Sequence, residues 1–231
     1  MTTSGTTAFN LDLSEIAEEA WERNAAEIRS GYDLRTTRRS LNILLAGWAN
    51  LGINLWTIDS GTINFVQGTS TYNLPDDTVD LVEHIIRTGA GNVSTQADLT
   101  ITRISVSTYS SIPNKLTQAR PIQVWVNRQA PTPQITVWPT PDGSQTYQFV
   151  YWRLRRLQDA GTGGTYTQDI PFRFLPPLIS GLAYYLSMKI PGAIERMPML
   201  KSQYDQDLAL AMEEDREKAA VRFVPRQMFI S

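Results

Sequence analysis

The only histidine, His84, lies in Leu81-Val-Glu-His-Ile-Ile-Arg87, a stretch that reads as a strand. Nothing like a nucleophile elbow accompanies it, so a structural or surface role is expected. Asp76, Asp77, Asp80 and Glu83 cluster after Tyr72-Asn-Leu-Pro75. Carboxylates at that density can hold calcium, but the spacing is not that of an EF-hand loop. Pro and Asp open turns and caps readily, and that is the expected role. Glu213, Glu214, Asp215 and Glu217 form a second acidic group. Two carboxylates across a cleft would suit glycoside hydrolysis, whereas a run along one helix suits a solvated face. Gly161-Thr-Gly-Gly164 has no strand before it and no lysine after it, so a phosphate cradle is unsupported. With no cysteine in the chain, thiolate metal sites and cysteine nucleophiles are excluded. These residues imply no catalytic centre, no metal site and no cofactor.

The basic residues say more. Seventeen of the 21 are arginine, a preference that favours bidentate contact with carboxylates over simple solubility. They cluster at Arg38-Arg39, and at Arg153 with Arg155-Arg156. The net charge of −2 argues against a nucleic-acid binder driven by electrostatics, whose domains are usually basic overall. No apolar run approaches the ~20 residues that span a bilayer, and Met1–Thr7 has neither the basic region nor the apolar core of a signal peptide. A soluble intracellular protein with no membrane partner is expected. At 231 residues it has room for one large domain or two small ones.

The elements that position these residues follow from periodicity. After a Thr/Ser/Gly arm (1–10), Leu13, Ile16, Ala17, Ala20, Asn24 and Ile28 recur at helical spacing, which predicts a helix from Leu11 to Ser30 ended by Gly31. Ser14 or Asp12 would cap it, and its outer face is acidic. Leu34, Leu41, Leu44, Leu45, Trp48 and Leu51 predict a second helix from Asp33 to Leu51, stopped by Gly52 and packed on the first as an antiparallel hairpin. The period then falls to two. Strands are expected at 53–58, 62–67, 81–87, 99–104, 122–127, 134–138 and 146–154, with a turn at Asp142-Gly143. Prolines bracket 134–138, which suggests a short or edge strand. Helix signals return at Pro176-Pro177 and run to Pro191-Gly192. A last helix is expected from Pro198 to Ala220, with Leu200, Tyr204, Leu208, Ala211 and Met212 on one face. The fold class expected is α+β: a four-helix domain built from both chain ends (11–52 with 168–220), an inserted antiparallel β-rich domain (53–167), and a C-terminal tail (221–231).

Several stretches together resemble one family. Arg38-Arg-Ser-Leu-Asn-Ile-Leu-Leu-Ala-Gly-Trp48, Asn50-Leu-Gly-Ile53 and Trp56 are similar to the second helix of head-to-tail adaptor proteins from short-tailed bacteriophages (podoviruses), the tail tubular protein A-like adaptors of the portal. Tyr72-Asn-Leu-Pro-Asp-Asp77 with Asp80 resembles their strand entry. Ser111-Ile-Pro-Asn-Lys115, Arg120-Pro121 and Phe172-Arg-Phe-Leu-Pro-Pro-Leu-Ile-Ser-Gly-Leu-Ala-Tyr-Tyr185 complete the likeness, which runs from about residue 9 to 226. The resemblance implies a structural virion protein, not an enzyme. It implies a dodecameric ring between the portal and a tail nozzle or tube protein, assembled in the host cytoplasm. Double-stranded DNA would pass through the lumen without sequence-specific binding.

Within that frame, Arg38 or Arg39 is expected to meet Glu18, Glu19 or Glu22 of a neighbouring subunit. The tail residues Arg222, Phe223, Val224, Pro225, Arg226, Gln227, Met228, Phe229 and Ile230 are expected to dock on a partner, the portal or tail, with folding back onto the chain's own helical domain as the other possibility. Burying the tail's large apolar side chains roughly offsets the entropy of ordering it, so attachment should need many tails at once. Two rival readings follow from the residues alone. A DNA-binding regulator would use the first helix pair, which carries only Arg35, Arg38 and Arg39 for the purpose. A carbohydrate- or receptor-binding β module would use the aromatic-rich strands.

Overall fold

The computed structural model describes residues 5, 9–52, 55–161 and 165–215. In chain order the elements are α1 (Leu13–Glu22), α2 (Gly31–Asn50), β1 (Ile58–Asn64), β2 (Thr71–Asn73), β3 (Thr78–Thr88), β4 (Ala97–Thr100) and β5 (Thr102–Ile104). There follow α3 (Val106–Ser110), β6 (Gln123–Asn127), β7 (Gln134–Trp138), β8 (Tyr147–Arg155), α4 (Leu175–Ser187) and α5 (Met197–Glu214). The protein is thus mixed α and β, with two sheets and five α-helices among the described residues. Two compact units divide it: Trp56–Asp159, and both flanks, Met1–Leu55 with Ala160–Ser231.

In the unit made of the two flanks, α4 is the centre. Its sequence is apolar nearly all round, and Leu175, Leu178, Ile179, Leu182, Ala183 and Leu186 are buried, the signature of a helix covered on every side. α1, α2 and α5 all pack on it. α1 starts with a capping box, Glu15 N donating to Asp12 Oδ1 at 2.9 Å and Asp12 N to Glu15 Oε2 at 3.0 Å. It ends at Glu22, well short of the expected Ser30. The backbone turns left-handed at Ala25 (φ 53°), and Asn24 leaves the helical stripe to donate from Nδ2 to the carbonyls of Ala20 and Ala183. Gly31 therefore does not stop α1; it is the first residue of α2, behind the cap Ser30. The expected hairpin is only partly realised. α1 and α2 meet where Trp21 Nε1 donates to Thr37 Oγ1 (2.8 Å), and the larger partner of each is α4.

α2 ends where expected, with Gly52 at φ +70°. Of the expected stripe, Leu41, Leu44, Leu45 and Trp48 are buried, whereas Leu34 is half-buried and Leu51 exposed; Thr37 and Ser40 join the buried set, their hydroxyls bonding the Asp33 and Thr36 carbonyls of the preceding turn. Trp48 and Phe174 meet edge to face at 5.5 Å between centroids, and Trp48 Nε1 donates to Tyr204 Oη at 2.9 Å. Gly181 of α4 makes this close approach possible. A Cβ there would stand 2.7 Å from the Tyr204 ring and 3.0 Å from Leu44.

The unit Trp56–Asp159 has two four-stranded sheets, ordered β1-β8-β3-β4 and β2-β7-β6-β5. Leu74, Leu81, Ile86, Ile101, Val124, Val126, Ile135, Val137, Tyr147, Phe149 and Tyr151 form its core, drawn from both sheets. On β8 the expected alternation holds, with Tyr147, Phe149 and Tyr151 facing inward. Tyr151 lies over its register partner Gly61, where a Cβ would come within 2.5 Å of the ring.

Four expectations for this unit fail, each for a physical reason. Of the first expected strand (53–58), residues 53–54 lie outside the described residues, Leu55–Thr57 is a 3-10 turn, and only Ile58 belongs to β1, which continues to Asn64. The run 99–104 breaks at Ile101, whose side chain is buried, so β4 and β5 belong to different sheets. β7 is not an edge strand; it lies between β2 and β6, because its prolines flank the ladder and leave its own N–H groups free to pair. The unit is not wholly antiparallel. β5 and β6 pair parallel, since residues 105–122, with α3, carry the chain back to the same end.

Candidate functional site

Most residues with chemical potential prove to be fastened within the fold. His84 is half-buried on β3, opposite Tyr151 and 5.8 Å from the Phe149 ring. Burial pushes its pKa down, so the neutral imidazole is favoured. Arginines hold the acidic cluster near residue 77. Arg153 Nη1 reaches Asp77 Oδ1 at 2.5 Å, and this bond holds the Asp77 carboxyl below the usual range. Arg103 binds Asp80 at 2.8 Å, and Arg156 Nη2 donates to the Asp76 carbonyl at 2.7 Å. Arg155 Nε pairs with Asp59 at 3.1 Å. The arginines around residue 155 are thus internal staples. Among the described residues, no group of His, Asp and Glu is arranged to hold a metal ion.

On α5 the expected solvated acidic face needs one correction. The Asp215 side chain is fully buried and paired with Arg173. Glu217 lies outside the described residues, as do 162–164 of the glycine stretch. The aromatic-rich strands mostly pack on themselves: Phe65 on Tyr72 at 4.8 Å, Tyr109 on Trp125 at 5.5 Å, and Tyr147, Phe149 and Tyr151 in the core. The Tyr72 hydroxyl donates to the Val66 and Thr69 carbonyls and accepts from Val66 N, pinning the turn before β2. This turn explains that tyrosine without a ligand.

Two open features lie on the helical unit. One groove of about 470 Å³ has an apolar floor of Phe9, Leu11, Phe172, Leu175, Pro176 and Ile179. Its rim is Glu15, Glu18, Glu19 and Glu22, with Arg23 beside them. The carboxylates follow the i, i+3, i+4, i+7 spacing of one helix face, which is why α1 presents them together. Glu19 already holds Arg23 at 2.9 Å. Phe9 meets Phe172 edge to face at 6.4 Å. A second recess, about 240 Å³, is lined by Tyr32, Arg35, Arg38 and Arg39, one turn apart along α2. Arg39 Nη2 also donates to Thr36 Oγ1 at 3.3 Å. The structure therefore gathers Glu18, Glu19 and Glu22 in one groove and Arg38 and Arg39 in one recess. The tail residues Arg222 to Ile230 lie outside the described residues.

Sequence reasoning found the glutamates as the outward face of a helix and Arg38-Arg39 as an adjacent basic pair. It missed the apolar floor, because Phe9 and Phe172 come together from segments 163 residues apart.

A family model described as "SU10 adaptor protein" matches residues 12–226. No curated protein matches the sequence. Among solved structures, a chain from "Neck of empty GTA particle computed with C6 symmetry" is 13% identical, with 97% of this chain and 96% of that chain covered. The TM-score is 0.26, at which the likeness carries no structural argument.

Proposed function

The chain belongs to the SU10 adaptor protein family, and from that premise we propose that it is a structural subunit of a virion's head-to-tail adaptor. In this reading, copies form a closed ring between the portal and a tail nozzle or tube protein. Double-stranded DNA passes through the lumen without sequence-specific contact. The dodecameric count and the short-tailed phage setting come from the sequence resemblance, as do assembly in the host cytoplasm and a final place at the head-to-tail interface. Residues 11–52 with 168–220 close the ring as a four-helix domain, 53–167 form the insert, and 221–231 reach the portal. The role is structural, with no reaction of its own.

One observation besides the family match supports this reading. The helical unit carries an arginine recess and a glutamate-rimmed groove with no lining residue in common. A contact between two unlike patches of identical copies is heterologous, and it generates a ring where its rotation closes and an open filament where it does not. Arginine suits such a seam because its planar fork meets a carboxylate with two hydrogen bonds. Glu19 is engaged by Arg23, so Glu18 and Glu22 are assigned to the neighbour's Arg38 or Arg39. A channel wall of acidic helices would also let phosphates pass without sticking.

The test is charge exchange at the seam. Removing one member of a desolvated pair costs about 2–5 kcal/mol, against about 0–1 kcal/mol for an exposed one. Arg39→Glu should therefore abolish rings seen by electron microscopy when the protein is mixed with a portal. Glu22→Arg in the same chain should restore them. If reversal at none of Glu18, Glu19 and Glu22 rescues assembly, the pairing is wrong.

A further inference from the structure

A further hollow of the helical unit, a cleft of about 920 Å³, lies between α2 and the C-terminal end of α4. It opens where α1 stops early: Ala26 and the left-handed Ala25 line it in place of another helical turn. Trp21, Ile43, Leu186, Ile190 and Pro191 give it an apolar wall, and Arg29, Arg39 and Lys189 stand among them. Of its two acids, Glu27 is exposed, and Asp33 is taken up by the cap of α2, accepting from Arg29 N, Ser30 N and Ser30 Oγ. Lys189 Nζ bonds Ser40 Oγ at 2.7 Å, and an ammonium has two further N–H groups to give. The cleft shares Tyr32 and Arg39 with the arginine recess, so an apolar hollow adjoins a cationic strip.

We infer that an aromatic pair from a second copy fills this cleft: Phe9 and Phe172 of one subunit seat against Trp21, Ile43 and Ile190 of the next, while the glutamates of α1 lie on its arginines. The inference rests on the ring reading above and gives that seam an apolar anchor which ion pairs alone do not supply.

The chemistry of the cleft selects the occupant. A small anion would leave the apolar wall bare, and an uncharged apolar partner would leave three cations unmet. The occupant must bring apolar side chains and carboxylates side by side. Phe9 and Phe172 are 63% and 68% exposed, and apart from Tyr32 at the cleft itself no other aromatic side chain among the described residues exceeds 60%. They already hold each other edge to face, so little freedom is lost when they dock. They line one groove with Glu15, Glu18 and Glu22, so acidic and aromatic parts adjoin on one partner as cationic and apolar parts adjoin on the other. Cleft and groove share no lining residue, which makes the contact heterologous, the type from which rings are built. The volume lies in the range of pockets that enclose small molecules, enough for two phenyl rings. Buried aromatic anchors at the centre with charges at the rim is the arrangement that carries most binding energy in protein interfaces.

The chain has no cysteine, so two single-cysteine variants report the contact directly. Asn10→Cys stands beside Phe9, and Ala26→Cys stands in the cleft lining. The two full-length variants are mixed in equal amounts with a portal and oxidised, and intact masses are read. The expected product is a disulfide dimer holding one of each variant. Dimers of either variant with itself, or rings seen by electron microscopy without a disulfide, overturn the inference and leave the adaptor reading standing. Absence of rings from the parent protein removes both. Independently, Phe9→Ala with Phe172→Ala should raise the concentration needed for rings about thirtyfold or more, the scale of a hot-spot anchor, with melting of the free subunit unchanged. Parent rings should also survive about 1 M salt, which screens exposed ion pairs. A double variant that assembles like the parent overturns the inference.

Discussion

At the scale of single residues, several buried polar groups of the helical unit have specific partners. Trp48 is 1% exposed, and its indole N–H is satisfied by the Tyr204 hydroxyl. Tyr204→Phe leaves that donor buried without a partner, which costs about 1–3 kcal/mol. Urea unfolding should show the midpoint falling with the slope unchanged. An unchanged midpoint would mean that water replaces the hydroxyl. Ser40 is a similar case, since its hydroxyl accepts from Lys189 Nζ at 2.7 Å. His84 gives a pH prediction. Burial lowers its pKa in the folded state, so on acidification the unfolded chain takes the proton first, near its ordinary value of about 6.5. The stability due to neutral His84 is complete above that pH and is lost as pH falls through it towards the lower folded value. His84→Gln should flatten the dependence of the melting temperature on pH between about 6.5 and 5. A second loss of stability, as Asp77 is protonated below its ordinary value of about 3.9, should remain, because the Arg153 bond depresses that carboxyl independently. If the variant and the parent lose stability in parallel above pH 5, another group sets that slope.

At the scale of elements, helix spacing and small residues decide which surfaces meet. α4 contributes Gly181 where α2 and α5 come closest. Gly181→Ala places a methyl against the Tyr204 ring and Leu44 in a packed interior, so overpacking should outweigh the gain in helix propensity. The net cost expected is about 1–2 kcal/mol by thermal or urea unfolding. A stabilised variant would show that the α4–α5 spacing yields easily. In the sheets, the β8 pattern reads inward at Tyr147, Phe149 and Tyr151 from sequence alone, because alternation is a local property of a pleated strand. The position of β7 between two neighbours does not, because the proline signal reports backbone donors lost beside the strand and not what lies across it.

At the scale of the whole molecule, the unit Trp56–Asp159 is entered and left on adjacent strands, with Ile58 in register with Leu154. Its core is complete in itself. Residues 56–159 expressed alone should therefore melt cooperatively, with a β-type far-ultraviolet spectrum. A gradual, featureless melt would show that the flanking unit is needed to hold it. Such a fragment would also allow the rival carbohydrate reading to be examined, since retained sugar affinity would favour it over the adaptor.

Local physics made much of this protein legible in advance. Helical spacing alone places Glu15, Glu18, Glu19 and Glu22 on one face and Arg35, Arg38 and Arg39 together, because a face is set by 3.6 residues per turn and needs no partner. The lack of cysteine and the single histidine likewise depend only on which residues are present. Only the tertiary structure decided that α1 ends at Glu22, that Asp215 is buried against Arg173, and that Phe9 joins Phe172 to floor the acidic groove. The left-handed turn at Ala25 carries no glycine to announce it, and Asn24 leaves the helix for a carbonyl on α4, 159 residues away. Such choices are made by contacts between segments distant in the chain, whose energies no local window of sequence contains.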